Sequence, residues 1–151
     1  MALDSATGIS FHTGMYSTLT SGEWKFNDSD EIRQEIYSEE YNKMMYMRDK
    51  LLREIRSASR VFVYKRNGRV SEDEASEIHQ NLSLLNERNI LLVVEADPDH
   101  QVGPHPIADR LYRAKISRLA PYERADDIDQ SGWDRIVMDM KDAATERGLW
   151  P

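Results

Sequence analysis

The chain has 151 residues, a net charge of −7 and no cysteine. The acidic excess excludes a general nucleic-acid surface, which needs basic residues along one face. The missing thiols exclude disulfides, thiolate metal sites and a cysteine nucleophile supplied by this chain.

Length predicts one domain over 1–151, with flexible ends at 1–8 and 148–151. A chain of this size buries roughly 68–70% of its unfolded surface, so its core needs no staple. No run reaches the ~20 apolar residues of a membrane span. The N-terminus also lacks a signal-peptide profile, so a cytoplasmic protein without a membrane partner is expected.

Taken in order, Gly8–Thr13 alternates apolar and polar residues and predicts a short strand. Residues 14–30 use the vocabulary of turns, with Trp24 and Phe26 on one face of a small strand or docked loop. A helical pattern opens at Ser29 or Asp30 and strengthens near Ser38. Ser38 reads as an N-cap ahead of Glu39 and Glu40. Tyr41, Met44, Met45, Leu51, Leu52 and Ile55 then recur at three and four residues, interrupted by Arg48, and predict a helix to about Ser57. Met44, Met45 and Met47 read as core.

Val61, Phe62, Val63 and Tyr64 form a continuous apolar run within 60–67, which predicts a central strand covered on both faces. Ser71-Glu72-Asp73-Glu74 is a capping-box sequence, and Ala75, Ile78, Leu82 and Leu85 share one face of the helix it starts. Asn86–Asn89 ends that helix. Ile90–Val94 is a second buried strand, parallel to the first. Residues 95–107 read as a long loop of Asp, Pro, Gly and His. Leu111–Leu119 reads as a strand ended by Pro121. A last helix starts near Ser131, with Trp133, Ile136, Val137, Met140 and Ala144 inside and Gly148 just past its end. The expected fold class is α/β: a small three-layer α/β/α domain with a mainly parallel sheet of about four strands.

Ligands of such sheets bind beyond the carboxyl ends of the strands. The candidates there are Tyr64, Lys65, Arg66 and Asn67 for binding an anion, and Glu95 and Asp97 for a sugar hydroxyl, a metal or a base. Against this, Lys65 and Arg66 read as solvated or paired with Glu95 or Asp97, and Asp97-Pro98-Asp99 reads as a turn. His12 stands at a third candidate strand end. His100 and His105 read as surface histidines, and His79 as a boundary residue. Asp126–Asp129 suits the start of the last helix better than a calcium loop, because the twelfth position from Asp127 is Met138. No cofactor is expected.

Met47-Arg-Asp-Lys-Leu-Leu52, Arg60-Val-Phe-Val-Tyr-Lys-Arg-Asn67, Leu91-Leu-Val-Val-Glu-Ala-Asp97 and Ala120-Pro-Tyr-Glu-Arg-Ala-Asp-Asp-Ile128, followed by Trp133, carry a resemblance. Residues 40–135 resemble the C-terminal part of a bacterial family of unknown function. Relatives of that family are sometimes labelled papain-like cysteine peptidases and stand beside polysaccharide or glycosyltransferase modules. Its Cys-bearing N-terminal segment has no counterpart here, so the resemblance implies a shortened relative or a fragment, and carries over only His12 as a base.

Three functions follow as expectations. The first is a binding or accessory module for an anionic or carbohydrate-like ligand. The second is a hydrolase or transferase using His12 with Glu95 or Asp97. The third is a homo-oligomer or interaction domain joined through Trp24, the Met-rich helix or the C-terminus, where Trp150 lies.

Overall fold

The computed structural model describes residues 2–3, 10–11, 13–57, 60–66, 68–120 and 124–148. His12, Asn67, Pro121 and Trp150 lie outside these. The chain divides into two compact units, Met1–Leu52 and Arg53–Pro151.

In the first unit, β1 (Ala2–Leu3) pairs antiparallel with β2 (Ser10–Phe11). β3 (Ser17–Thr20) and β4 (Glu23–Phe26) form a second antiparallel pair around Ser21-Gly22, both at positive φ. Trp24 and Phe26 thus lie on a small strand, and both are exposed. Helix α1 covers Asp30–Ser57. It starts eight residues before the strong pattern at Ser38. The Ser29 hydroxyl accepts from the Ile32 N–H and Asp30 and Glu31 fill the first turn, so the weaker signal at Ser29 marks the true start. Ser38 sits inside the helix and bonds back to the Gln34 carbonyl. Met44 and Met45 are half-buried and Met47 is exposed, so this methionine cluster is not a core element.

The second unit is built on a four-stranded sheet ordered β5 (Val61–Lys65), β6 (Ile90–Ala96), β8 (Leu111–Ile116), β7 (Val102–Ala108). β5, β6 and β8 run parallel, and β7 is antiparallel to β8. The fold class is therefore α/β with a mainly parallel sheet.

Two expectations are corrected. β5 is an edge strand, not the central one, and Val63 is half exposed; its apolar run reflects one neighbour and one well-covered face. Residues 102–108 form a strand, not a loop. Pro104 and Pro106 lack an N–H, and an edge strand with register shifts tolerates them because one side of its ladder is unpaired.

Helix α2 (Glu72–Leu85) begins where the capping sequence places it: the Ser71 side chain accepts from the Glu74 N–H at 3.1 Å. It ends at Asn86. Helix α3 (Gln130–Glu146) is capped by Asp129, and Gly148 follows it at φ +65°.

Alternation along β6 and β8 sends side chains to two clusters. Ile90, Leu92, Val94, Tyr112, Ala114 and Ile116 pack with Ile136, Met140 and Ala144 of α3. Leu91, Val93 and Leu111 pack with Val70, Ala75, Ile78 and Leu82 at α2. Val137, expected on the inner face of α3, is exposed. Asn89 is fully buried just before β6 and donates to the Ile55 carbonyl at 2.8 Å, a bond within the second unit.

Candidate functional site

On the face toward α2, β6 reads Leu91, Val93, Glu95 and β8 reads Leu111, Arg113, Lys115. The apolar half of each strand lies under Val70 and Ala75. The charged half follows at the carboxyl ends, where the ladder continues through the Asp97 N–H to the Ile116 carbonyl at 2.8 Å. A cleft of about 540 Å³ opens there, lined by Gly68, Arg69, Glu95, Ala96, Asp97, Arg113 and Lys115. A neighbouring hollow of about 360 Å³ shares Arg69 and Arg113 and reaches Ser71 and Glu72 at the start of α2.

Glu95 is buried at the floor. Its Oε1 accepts the Val70 N–H at 2.6 Å and its Oε2 lies 3.3 Å from Arg113 Nη1. A buried carboxylate persists only when paired and hydrogen-bonded, and both conditions hold. The remaining N–H groups of Arg113, on Nε and Nη2, are buried and have no partner among the described residues. They form one edge of the guanidinium, the edge that grips a carboxylate or phosphate bidentately.

Asp97 accepts from Lys115 Nζ at 2.7 Å and from the His100 N–H at 3.1 Å. The Lys115 hydrogen bond, helped by the His100 N–H, holds the Asp97 carboxyl below the usual carboxylate range. Such a group accepts hydrogen bonds well and is a weak base at neutral pH.

The residues of β5 stand elsewhere. The Tyr64 hydroxyl donates to Glu74 Oε1 at 3.0 Å, and Arg66 Nη1 donates to the same oxygen at 2.8 Å. Arg66 also donates to the Arg69 carbonyl, fixing the turn into α2. Neither lines the cleft. Lys65 pairs with Val94 in the ladder, but its exposed side chain has no hydrogen bond or ion pair among the described residues. His12 and Asn67 lie outside the described residues.

Of the residues singled out from sequence, Glu95 and Asp97 are therefore brought together, and their cationic partners come from β8 and not from β5. Arg69, Arg113 and Lys115 were missed. A signal for two of them existed: Arg113 and Lys115 alternate with Tyr112, Ala114 and Ile116, an odd pair of charges on an otherwise buried strand. His79 is half-buried on α2, and its burial lowers its pKa. His100 lies near Asp97. Among the described residues no three His, Asp or Glu side chains converge as a metal-binding group, and no helix is long and apolar enough to cross a membrane.

No family model, curated protein or solved structure matches this chain.

Proposed function

We propose that the second unit, as a three-layer α/β/α domain, is a binding module for a small anionic, carbohydrate-like ligand such as a sugar acid or sugar phosphate. The observation that carries this reading is the buried, unpartnered Nε/Nη2 edge of Arg113, a residue that lines an open polar cleft. An unsatisfied buried donor costs about 1–3 kcal/mol, and more when charged, so an anion that satisfies two at once has a large gain available. The edge is shielded from water, and binding turns the guanidinium toward the ligand.

Around Arg113 the cleft sets Arg69 and Lys115 against Glu95 and Asp97. Three cations and two carboxylates favour a ligand of low negative charge over a polyanion. Asp97 and the backbone near Gly68 then face the hydroxyl groups of the ligand. The position beyond the strand ends and next to the start of α2 supports the same reading.

The test is a thermal-shift panel at fixed ionic strength: inorganic phosphate, sugar phosphates, sugar acids, nucleotide sugars and the matching neutral sugars. Anionic sugars should raise the melting temperature in a saturable way and neutral sugars should not. Arg69→Ala, which leaves the buried pair intact, should abolish the shift. Equal shifts for wild type and Arg69→Ala, or none with any anion, would overturn the reading.

A further inference from the structure

We propose that helix α1 pairs antiparallel with the same helix of a second copy of this chain, making a two-fold dimer. Between Tyr37 and Leu51 this helix carries an apolar stripe that the described residues leave largely uncovered. Tyr37, Tyr41, Met44, Arg48, Leu51 and Ile55 follow one another at steps of four and three residues, the spacing of a two-helix seam. Of the apolar members only Ile55 is buried. Tyr37, Tyr41 and Leu51 are 52%, 46% and 52% exposed, and the Tyr37 and Tyr41 rings stack on each other 6.1 Å apart along the stripe. A helix of 28 residues with its apolar side in water gains most of its stability from whatever covers that side.

Charge identifies the occupant. Residues 30–43 carry five acids and two bases, whereas residues 44–57 carry four bases and two acids. The helix dipole accounts for charges in the first and last turns only. It does not reach Glu39 and Glu40 on one side of the midpoint, or Arg48 and Lys50 on the other. One helix laid antiparallel on its copy sets each acidic half against a basic half. The pairing also closes on itself, as a two-fold interface requires. It layers Tyr41 on Leu51 and Met44 on Arg48 of the other copy. Arg48 then lies within reach of Glu40 across the seam.

The natural absence of cysteine makes the geometry directly readable. In the full chain, a single cysteine at Met44 should join two copies through a short thiol crosslinker. One at Tyr37 should not, because its counterpart lies about 18 helical residues away, or ~27 Å. Sedimentation should show a dimer for the wild type and a monomer for Arg48→Glu with unchanged helicity. The charge-swapped double variant Glu40→Lys/Arg48→Glu should restore the dimer. A wild-type chain that stays monomeric at high concentration overturns the proposal, and so does efficient crosslinking at Tyr37→Cys, which marks a parallel pair. A dimer indifferent to Arg48→Glu overturns it as well.

Discussion

Glu95 Oε2 and Arg113 Nη1 stand 3.3 Å apart on neighbouring parallel strands, with only 9% and 12% of their side chains reaching water. Two charges placed this way gain from each other but lose their hydration, so the pair adds little net stability while either partner alone is costly. Glu95→Ala should lose about 3–5 kcal/mol, because it strands Arg113 and orphans the Val70 N–H. The double variant Glu95→Leu/Arg113→Met should recover most of that loss. Urea denaturation of the three proteins checks it. A double variant as unstable as Glu95→Ala would mean that the pair is structural in its own right and not retained for a ligand.

Gly132 separates two opposing expectations for one methyl group. Replacing a helical glycine by alanine ordinarily stabilises by about 1 kcal/mol. Here an added Cβ meets the Asp129 carboxylate at 2.6 Å and the Ile116 side chain at 2.8 Å. Crowding of this kind costs about 1–3 kcal/mol, and it also disturbs the cap. Gly132→Ala should therefore destabilise the protein, as a lower urea midpoint with an unchanged slope will show.

Asp129 gives the acid side of the stability profile. The Ser117 hydroxyl at 2.5 Å, joined by the Gly132 N–H at 2.9 Å, holds its carboxyl down at about 2. A pKa lowered by folding means that the unfolded chain binds the proton more tightly, so stability rises with pH across that window. Its contribution is complete above the unfolded value of about 3.9 and disappears as the pH falls through about 2. Ser117→Ala should raise this pKa and shift the acid-unfolding midpoint upward, as carboxyl chemical shifts and acid titration will record.

Tyr64 gives the alkaline side. Its hydrogen bond to the Glu74 carboxylate, then burial, raise its pKa above the ordinary phenol. The native state therefore holds this proton more tightly than the unfolded chain does. The resulting stability is complete below the unfolded value of about 10 and is lost as the pH rises through the raised one. Glu74→Gln should bring the Tyr64 titration back down, as phenolate absorbance will show. Because Glu74 also holds Arg66, the same variant should loosen the turn into α2.

How far these features could be read from the chain depends on where the local signal lay. The parallel pairing of 61–65 with 90–94 followed from two continuous apolar runs separated by a capped helix, and each part of that pattern was strong. The capping serine Ser71 and the late Gly148 were equally plain. What failed were features decided by position in the sheet. An apolar run reads the same on an edge as in the middle, so β5 was misplaced. Pro104 and Pro106 mark a loop by composition, yet an edge strand accommodates them. The cleft was half readable. Glu95 and Asp97 stood out at a strand end, but their partners depended on β8 lying beside β6, and chain order alone places β7 next. Ser38 outweighed Ser29 by its flanking glutamates, although a helix interior also tolerates a serine that bonds back one turn.

The central claim is that Arg113 holds an anion with the edge that the protein leaves free. The direct measurement is the Arg113 Nε–H resonance in a nitrogen–proton spectrum, followed as inorganic phosphate and then a sugar phosphate are titrated at constant ionic strength. We predict a saturable shift of that resonance, with backbone signals of Gly68, Arg69 and Lys115 moving at the same midpoint and none of them moving in Arg69→Ala. An Arg113 Nε–H signal that stays fixed through millimolar ligand, while distant surface amides drift together, would contradict the account.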